Sequence, residues 1–90
     1  MEHIQRIGIV GLGYVGLTLA TVMAETGYRV IGVERRKEVV DKTNAGKPHF
    51  AETGLAEAMA RVVQTGQLRA VTEFDDREPC DVYVITVGTP

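Results

Sequence analysis

The stretch Ile7-Gly-Ile-Val-Gly-Leu-Gly-Tyr-Val-Gly-Leu17 decides the fold of this 90-residue chain. It joins a short apolar run to the spacing G-x-G-x-x-G, which is formed by Gly11, Gly13 and Gly16. The spacing alone is a weak signal, because the chain contains ten glycines. Its context is stronger, since the apolar run predicts a buried strand over 5–10 and the residues after it have helical periodicity. The stretch therefore predicts a strand, a tight turn and a helix in immediate succession.

Along the rest of the chain, short apolar runs alternate with segments of helical period, which is typical of β-α-β units and a parallel sheet. The predicted strands span 5–10, 28–33, 68–72 and 81–87, and the predicted helices span 14–26, 36–45 and 55–65. The fold class is therefore α/β: a Rossmann-type parallel sheet with flanking helices, truncated after the fourth strand.

Local signals define the faces and ends of the helices. The apolar residues expected on the buried face of the first helix are Val15, Leu19, Val22 and Met23. Gly27 is expected to end this helix in a left-handed conformation. Thr53 is expected to cap the start of the third helix with its hydroxyl.

The end of the sequence bears on the organisation of the domain. Gly88-Thr89-Pro90 follows the fourth predicted strand directly, whereas a parallel strand normally leads into a crossover helix. We expect residues 1–90 to be the N-terminal part of a larger dinucleotide-binding domain. The alternative is a small protein that closes its sheet by dimerising, because so small a core rarely stands alone.

Composition excludes several classes of protein. The formal net charge is −2, so no basic stripe is available to neutralise the phosphates of a nucleic acid. The charge-free run 7–24 approaches membrane-spanning length, but four glycines interrupt it. The start Met1-Glu2-His3 is not the basic segment that opens a signal peptide. We therefore expect neither a nucleic-acid partner nor a membrane partner.

Cysteine and histidine usage adds no further site. Cys80 is the single cysteine, so it cannot form an internal disulfide or build a zinc site alone. We interpret it as a buried or inert thiol. His3 and His49 stand singly in terminal and loop contexts, without metal-ligand spacing. The chain is therefore expected to be cytoplasmic and to hold no metal.

The glycine run has the residue types that bind a pyrophosphate. Gly11 would permit the tight turn, Gly13 would let the backbone approach the phosphates, and Gly16 would let the helix pack closely on the strand. The amides of Tyr14 and Val15 would then face the anion at the positive end of the helix dipole. The alternative is a glycine-rich turn that binds no ligand.

A carboxylate follows the second strand at the position that such a site requires. Glu34 lies 18 residues after Gly16, where a dinucleotide fold places the acid that accepts hydrogen bonds from the adenosine ribose. A carboxylate there repels a 2′-phosphate, which favours NAD over NADP. Arg35 and Arg36 work against this preference, because an arginine at this place can pair with a 2′-phosphate. The alternatives are that the two arginines form a solvated helix start, or that Arg35 stacks on the adenine.

The end of the fourth strand lies beside the first turn in a sheet of order 3-2-1-4. Thr89 would therefore reach the dinucleotide near its nicotinamide half. The alternative for Thr89 is a plain turn.

Four segments together resemble the N-terminus of the UDP-glucose/GDP-mannose dehydrogenase family. They are Ile7–Leu17, Val30-Ile-Gly-Val-Glu34, Glu52-Thr-Gly-Leu55 and Val84-Ile-Thr-Val-Gly-Thr-Pro90. The glycine run, followed at this distance by a strand ending in Thr-Pro, is fairly specific to that family. Asn44-Ala-Gly-Lys-Pro-His49 and Leu68-Arg-Ala70 look most like its UDP-N-acetylmannosamine dehydrogenase branch.

The resemblance implies an activity for the intact protein. Members of this family oxidise the C6 alcohol of a nucleotide sugar to a carboxylate with two NAD in succession. The resemblance implies that the catalytic cysteine lies far downstream and that Cys80 does not match it. Residues 1–90 would then lack the catalytic and sugar-binding domains, contain no catalytic residue and be inactive alone. The implied partner is a nucleotide-sugar substrate, a UDP-sugar. We also expect a homo-oligomer, because an uncovered sheet face favours self-association.

The resemblance also assigns cofactor-binding residues. The pyrophosphate would lie at Gly11, Gly13, Tyr14, Val15 and Gly16, the adenosine at Glu34 and Arg35, and the nicotinamide side at Thr89. The sequence departs from the family at Glu34, where Asp is usual, at Thr53, where Pro is common, and at Gly88, where Pro or Asn is frequent.

Two other functions fit the glycine run and Glu34. One is a non-enzymatic NAD-sensing Rossmann module, which would use the same binding residues. The other is a different NAD-linked dehydrogenase, for example one acting on a hydroxy acid. The Thr-Pro ending and the residues from 44 to 55 speak against the second, by resemblance alone.

Overall fold

The computed structural model describes residues 4–86. The elements in chain order are β1 (Arg6–Val10), α1 (Tyr14–Thr26), β2 (Arg29–Val33), α2 (Lys37–Asn44), α3 (Leu55–Gln64), β3 (Leu68–Val71) and β4 (Val82–Ile85). Each predicted element is present, and its ends agree with the prediction to within one or two residues. Residues 7–17 form most of β1, the turn and the start of α1, as predicted.

The four strands form one parallel sheet in the order β3-β2-β1-β4. The chain moves outward from β1 to β2 and β3, then returns to place β4 on the other side of β1. Val10, the last residue of β1, pairs with Val33 of β2 and Ile85 of β4. The strand order therefore reverses at β1, which creates a crevice at the carboxyl ends of the strands, where ligands bind in open α/β sheets.

One face of the sheet carries the core. Ile7, Ile9, Val30, Leu68 and Ala70 alternate along the strands and are buried. All three helices pack on this side, since α3 contacts both α1 and α2. The fold class predicted from the sequence is therefore confirmed.

The opposite face is more open. Side chains of Tyr83 and Ile85 on β4 are 49% and 71% exposed. Phe74, in the β3–β4 connection, packs edge-on against Tyr83 with ring centroids 5.0 Å apart. Gly8 lies beneath these rings, where a Cβ would come within 2.8 Å of Tyr83.

The predicted buried face of α1 is wrong. Val15 and Val22 are exposed, and Leu19 and Met23 pack only partly against the core. The buried residues are Gly16, Leu17, Ala20, Thr21 and Ala24. Gly16, Ala20 and Ala24, which are small and four residues apart, let the helix approach the sheet closely. Because α1 carries no charge before its last turn, apolar periodicity could not distinguish this face from the exposed one.

The helix ends gave one confirmed and one wrong prediction. Gly27 ends α1 with φ 119°, and its N–H donates to the carbonyl of Ala24. Thr53 does not cap α3. Gly54, with φ 81°, is the residue before the helix, and no side chain caps it. The left-handed backbone at Gly54 sets the entry to α3 without a hydroxyl.

Within residues 4–86, no helix combines the length and the apolar composition that a membrane crossing requires.

Candidate functional site

The three glycines of the turn have three different structural environments. Gly11 has φ 95°, a left-handed conformation that glycine adopts without strain, and its N–H donates to Val33 O over 2.8 Å. A Cβ on Gly16 would lie 1.9 Å from the carbonyl oxygen of Gly11. A Cβ on Gly13 would meet none of the described residues within 4 Å. The turn thus leaves open space above Gly13, unlike Gly16, and a ligand could approach the backbone there.

The first amide groups of α1 have no acceptor within the helix. The first helical hydrogen bond runs from Leu17 N–H to Gly13 O over 2.9 Å, so the preceding amides have no helical carbonyl to bind. Gly13 supplies no side-chain cap, and the first turn contains no acidic residue. Tyr14 and Val15 are both exposed. This end of the helix is therefore suited to an anion such as a pyrophosphate.

Glu34 follows β2 and turns its carboxylate toward the same turn. Although acidic, it is only 8% exposed. Its Oε1 accepts the N–H of Leu12 over 3.0 Å, and its Oε2 accepts the N–H and Nε of Arg36 over 3.0 and 2.8 Å. The Arg36 guanidinium, helped by the two backbone donors and opposed by burial, lowers the pKa of Glu34 to about 2. The carboxylate is therefore ionised at neutral pH.

A cleft of about 320 Å³ joins these features. The residues lining it include Val10, Gly11, Gly13, Glu34, Arg35, Arg36 and Thr86. This volume is at the lower end of the range for small-molecule sites. The structure thus brings the glycine turn and Glu34 into one cleft. Of the two arginines, Arg36 pairs with Glu34, while Arg35 is exposed at the rim.

Sequence reasoning missed Thr86. Its hydroxyl donates to the carbonyl oxygen of Gly11 over 2.8 Å and lies 3.1 Å from that of Val10, and its N–H donates to Val10 O over 2.8 Å. Thr86 therefore ties the end of β4 to the glycine turn. The available signal was a hydroxyl residue ending an apolar strand beside the switch point. Thr89, which the sequence favoured instead, lies outside the described residues.

The single cysteine lies apart from the cleft. Cys80 precedes β4, at the amino end of the sheet, and burial raises the pKa of its thiol. The neutral thiol is a poor nucleophile. Among residues 4–86, no group of three side chains could hold a metal ion.

The sheet order, the glycine turn and the acid after β2 define a dinucleotide-binding α/β domain. Residues 5–90 match the UDP-glucose/GDP-mannose dehydrogenase family, NAD binding domain. The chain belongs to this family, and the resemblance drawn from the sequence is confirmed. The cofactor of the family's binding domain is NAD, as predicted.

Individual relatives agree with this assignment. The UDP-N-acetyl-D-mannosamine dehydrogenase of Pyrococcus horikoshii is 36% identical over 94% of this chain and 20% of its own length. The NDP-N-acetyl-D-galactosaminuronic acid dehydrogenase of Ralstonia nicotianae is 44% identical over 96% of this chain and 20% of its own. A ternary complex of GDP-mannose dehydrogenase from Pseudomonas aeruginosa has a TM-score of 0.90 and 40% identity, covering 96% of this chain and 20% of that one. This chain spans about a fifth of the length of these relatives. They do not favour a non-enzymatic sensor or a hydroxy-acid dehydrogenase.

Proposed function

We propose that this chain is the NAD-binding part of a nucleotide-sugar 6-dehydrogenase, which oxidises the C6 alcohol of a UDP-sugar to a carboxylate with two NAD. The observation that carries the proposal is the cleft, which combines an uncapped helix end, open space at Gly13 and an ionised Glu34. The family match supports the reaction class.

The residues of the chain fit the cofactor as follows. The amides of Tyr14 and Val15 would donate to the pyrophosphate at the positive end of the α1 dipole. Gly13 admits the phosphates because it has no Cβ, and Thr86 holds the turn against β4. NAD, when bound, supplies the hydride acceptor. Thr89 is proposed to lie on the nicotinamide side.

Glu34 would accept hydrogen bonds from the adenosine ribose. An ionised carboxylate has about four lone-pair sites, and Leu12 and Arg36 use three of them at good distance. The Arg36 side chain is 52% exposed, so water can solvate its guanidinium when it leaves Glu34. The ribose hydroxyls would then take the place of its guanidinium, while the two backbone donors hold the carboxylate in position. Arg35 would lie against the adenosine from the rim.

The chemical steps are assigned to residues beyond this chain. Cys80 lies at the far end of the sheet from the cleft, and its raised pKa does not suit a nucleophile. We therefore propose that these ninety residues are the N-terminal part of the domain and are inactive alone. The proposed partners are a UDP-sugar and further copies of the protein, in the cytoplasm. The exposed apolar side chains of Tyr83 and Ile85 are compatible with association.

The test is NADH formation by the full-length gene product across a panel of UDP- and GDP-sugars. We expect two NADH per molecule of one UDP-sugar, as a four-electron oxidation requires. NAD binding without turnover of any sugar would contradict the proposed reaction and favour a sensor. Two NADH from a GDP-sugar alone would preserve the reaction and correct the substrate.

A further inference from the structure

The connection between α2 and α3 crosses the amino end of α1. His49 Nε2 lies 2.6 Å from the carbonyl oxygen of Leu12. The ring of Phe50 packs against both His49 and Tyr14, with centroids 5.0 Å apart in each pair. The hydroxyl of Tyr14 donates to Glu52. Three contacts, made by His49, Phe50 and Glu52, thus fasten this connection to the glycine turn and the start of α1.

The bond from His49 has a defined direction. A carbonyl oxygen only accepts hydrogen bonds, so Nε2 must carry the proton. Both the Nε2–H tautomer and the protonated imidazole satisfy this condition. His49 therefore acts on the turn as a donor.

Leu12 is held on its other sides as well. Its side chain is fully buried and lies over Gly32, where a Cβ would come within 2.7 Å of it. Its N–H donates to Glu34 Oε1. Two side chains therefore hold the backbone of Leu12. Glu34 binds its N–H, and His49 binds its carbonyl oxygen.

The carbonyl of Leu12 and the N–H of Gly13 belong to one planar peptide unit. In a trans peptide these two groups point in opposite directions, so a bond that fixes the carbonyl also fixes the N–H. Without such a bond, the conformational freedom of Gly13 would permit this peptide to rotate. A donor on the carbonyl also polarises the peptide, which makes its N–H a stronger donor.

We propose that His49 is a positioning residue for the cofactor: its Nε2–H holds the Leu12–Gly13 peptide in the orientation that presents Gly13 to the pyrophosphate. This inference rests on the proposed NAD site. It assigns a role to a histidine that the sequence alone left as an isolated loop residue.

Two substitutions separate this role from simple packing. His49→Phe keeps an aromatic ring against Phe50 and removes the donor. His49→Gln removes the ring and keeps an amide N–H at a similar distance from the backbone. The dissociation constant of NAD is measured by calorimetry on the full-length protein, with thermal unfolding of each variant. The KM for NAD and kcat are then compared at saturating sugar.

We expect His49→Phe to raise the dissociation constant and the KM for NAD about fivefold, the value of one ordinary hydrogen bond, with kcat unchanged. His49→Gln should stay close to wild type. Equal binding by His49→Phe and wild type would overturn the inference, and so would equal weakening by both variants, because the ring would then be what matters. If the wild-type protein does not bind NAD, the proposed function itself fails. If His49→Phe does not fold, His49→Leu replaces it, since it also lacks the donor.

Discussion

The two ends of the sheet each hold a carboxylate that accepts backbone N–H groups, and they differ in the groups that border it. At the amino end, Asp81 Oδ2 accepts the N–H groups of Gln5 and Arg6, both over 2.9 Å. At the carboxyl end, Glu34 accepts the N–H groups of Leu12 and Arg36. The backbone donors lower the pKa of Asp81, and the Arg36 side chain is the largest cause at Glu34.

The two carboxylates differ in whether the backbone groups beside them already have hydrogen-bond partners within the fold. Asp81 joins β4 to β1, and the N–H of Asp81 returns a bond to Arg6 O over 2.8 Å. Glu34 instead borders a helix end whose first amides have no intrahelical partner. The comparison teaches that a dinucleotide site needs polar groups left over after folding, and that the glycine turn supplies them.

The largest expected effect tests whether the turn depends on close packing. Gly16→Ala places a Cβ 1.9 Å from Gly11 O, and backbone cannot yield as a flexible side chain can. We expect the free energy of unfolding to fall by about 3 kcal/mol, as measured by urea denaturation. Full stability in this variant would show that α1 can shift away from the turn, contrary to the structure.

The next prediction compares the effects of removing each carboxylate on the affinity for NAD. Glu34→Ala should weaken NAD binding by about 1–3 kcal/mol, since it removes a charged hydrogen-bond acceptor. Asp81→Ala is the matched control, because it removes a carboxylate with two backbone donors at the far end of the sheet. Calorimetric titration of NAD should show unchanged affinity for Asp81→Ala. Equal weakening by both substitutions would break the distinction between the two ends.

A smaller effect is expected in acid. The pKa of Glu34 is about 2 in the folded protein and about 4.3 in an unfolded chain. The unfolded state therefore binds the extra proton first, and the stability from the ionised form is lost as the pH falls from about 5 to 2. Because Arg36 is half exposed, we expect a loss of about 1–2 kcal/mol. Glu34→Gln should remove this part of the pH dependence in urea titrations at several pH values. An unchanged dependence would show that Arg36 does not stabilise the ionised form.

The sequence predicted those features that depend on local chemistry. The glycine spacing and the strand before it were sufficient for the turn, and Glu34 followed from its distance along the chain. Gly27 followed from the need for a left-handed residue after α1. In each case the residue type and its place relative to one element determine the outcome.

Other features depend on contacts between distant segments. The buried face of α1 is set by how closely small residues approach the sheet, which an apolar helix does not reveal. Thr86 and His49 bind backbone carbonyls of the turn from 75 and 37 residues away. Thr53 failed as a cap because Gly54 adopts a backbone conformation that sets the helix start by itself. These contacts become visible only when the fold is assembled.

The most direct test of the NAD site is Gly13→Ala, measured by calorimetric titration of NAD together with urea unfolding of the full-length protein. A Cβ at Gly13 meets none of the described residues, and its φ of −76° suits alanine. We therefore predict stability within about 1 kcal/mol of wild type. The same methyl group would fill the space for the pyrophosphate, so NAD affinity should fall at least about tenfold, or 1.4 kcal/mol. Wild-type affinity in a stable Gly13→Ala protein would contradict pyrophosphate binding at this turn.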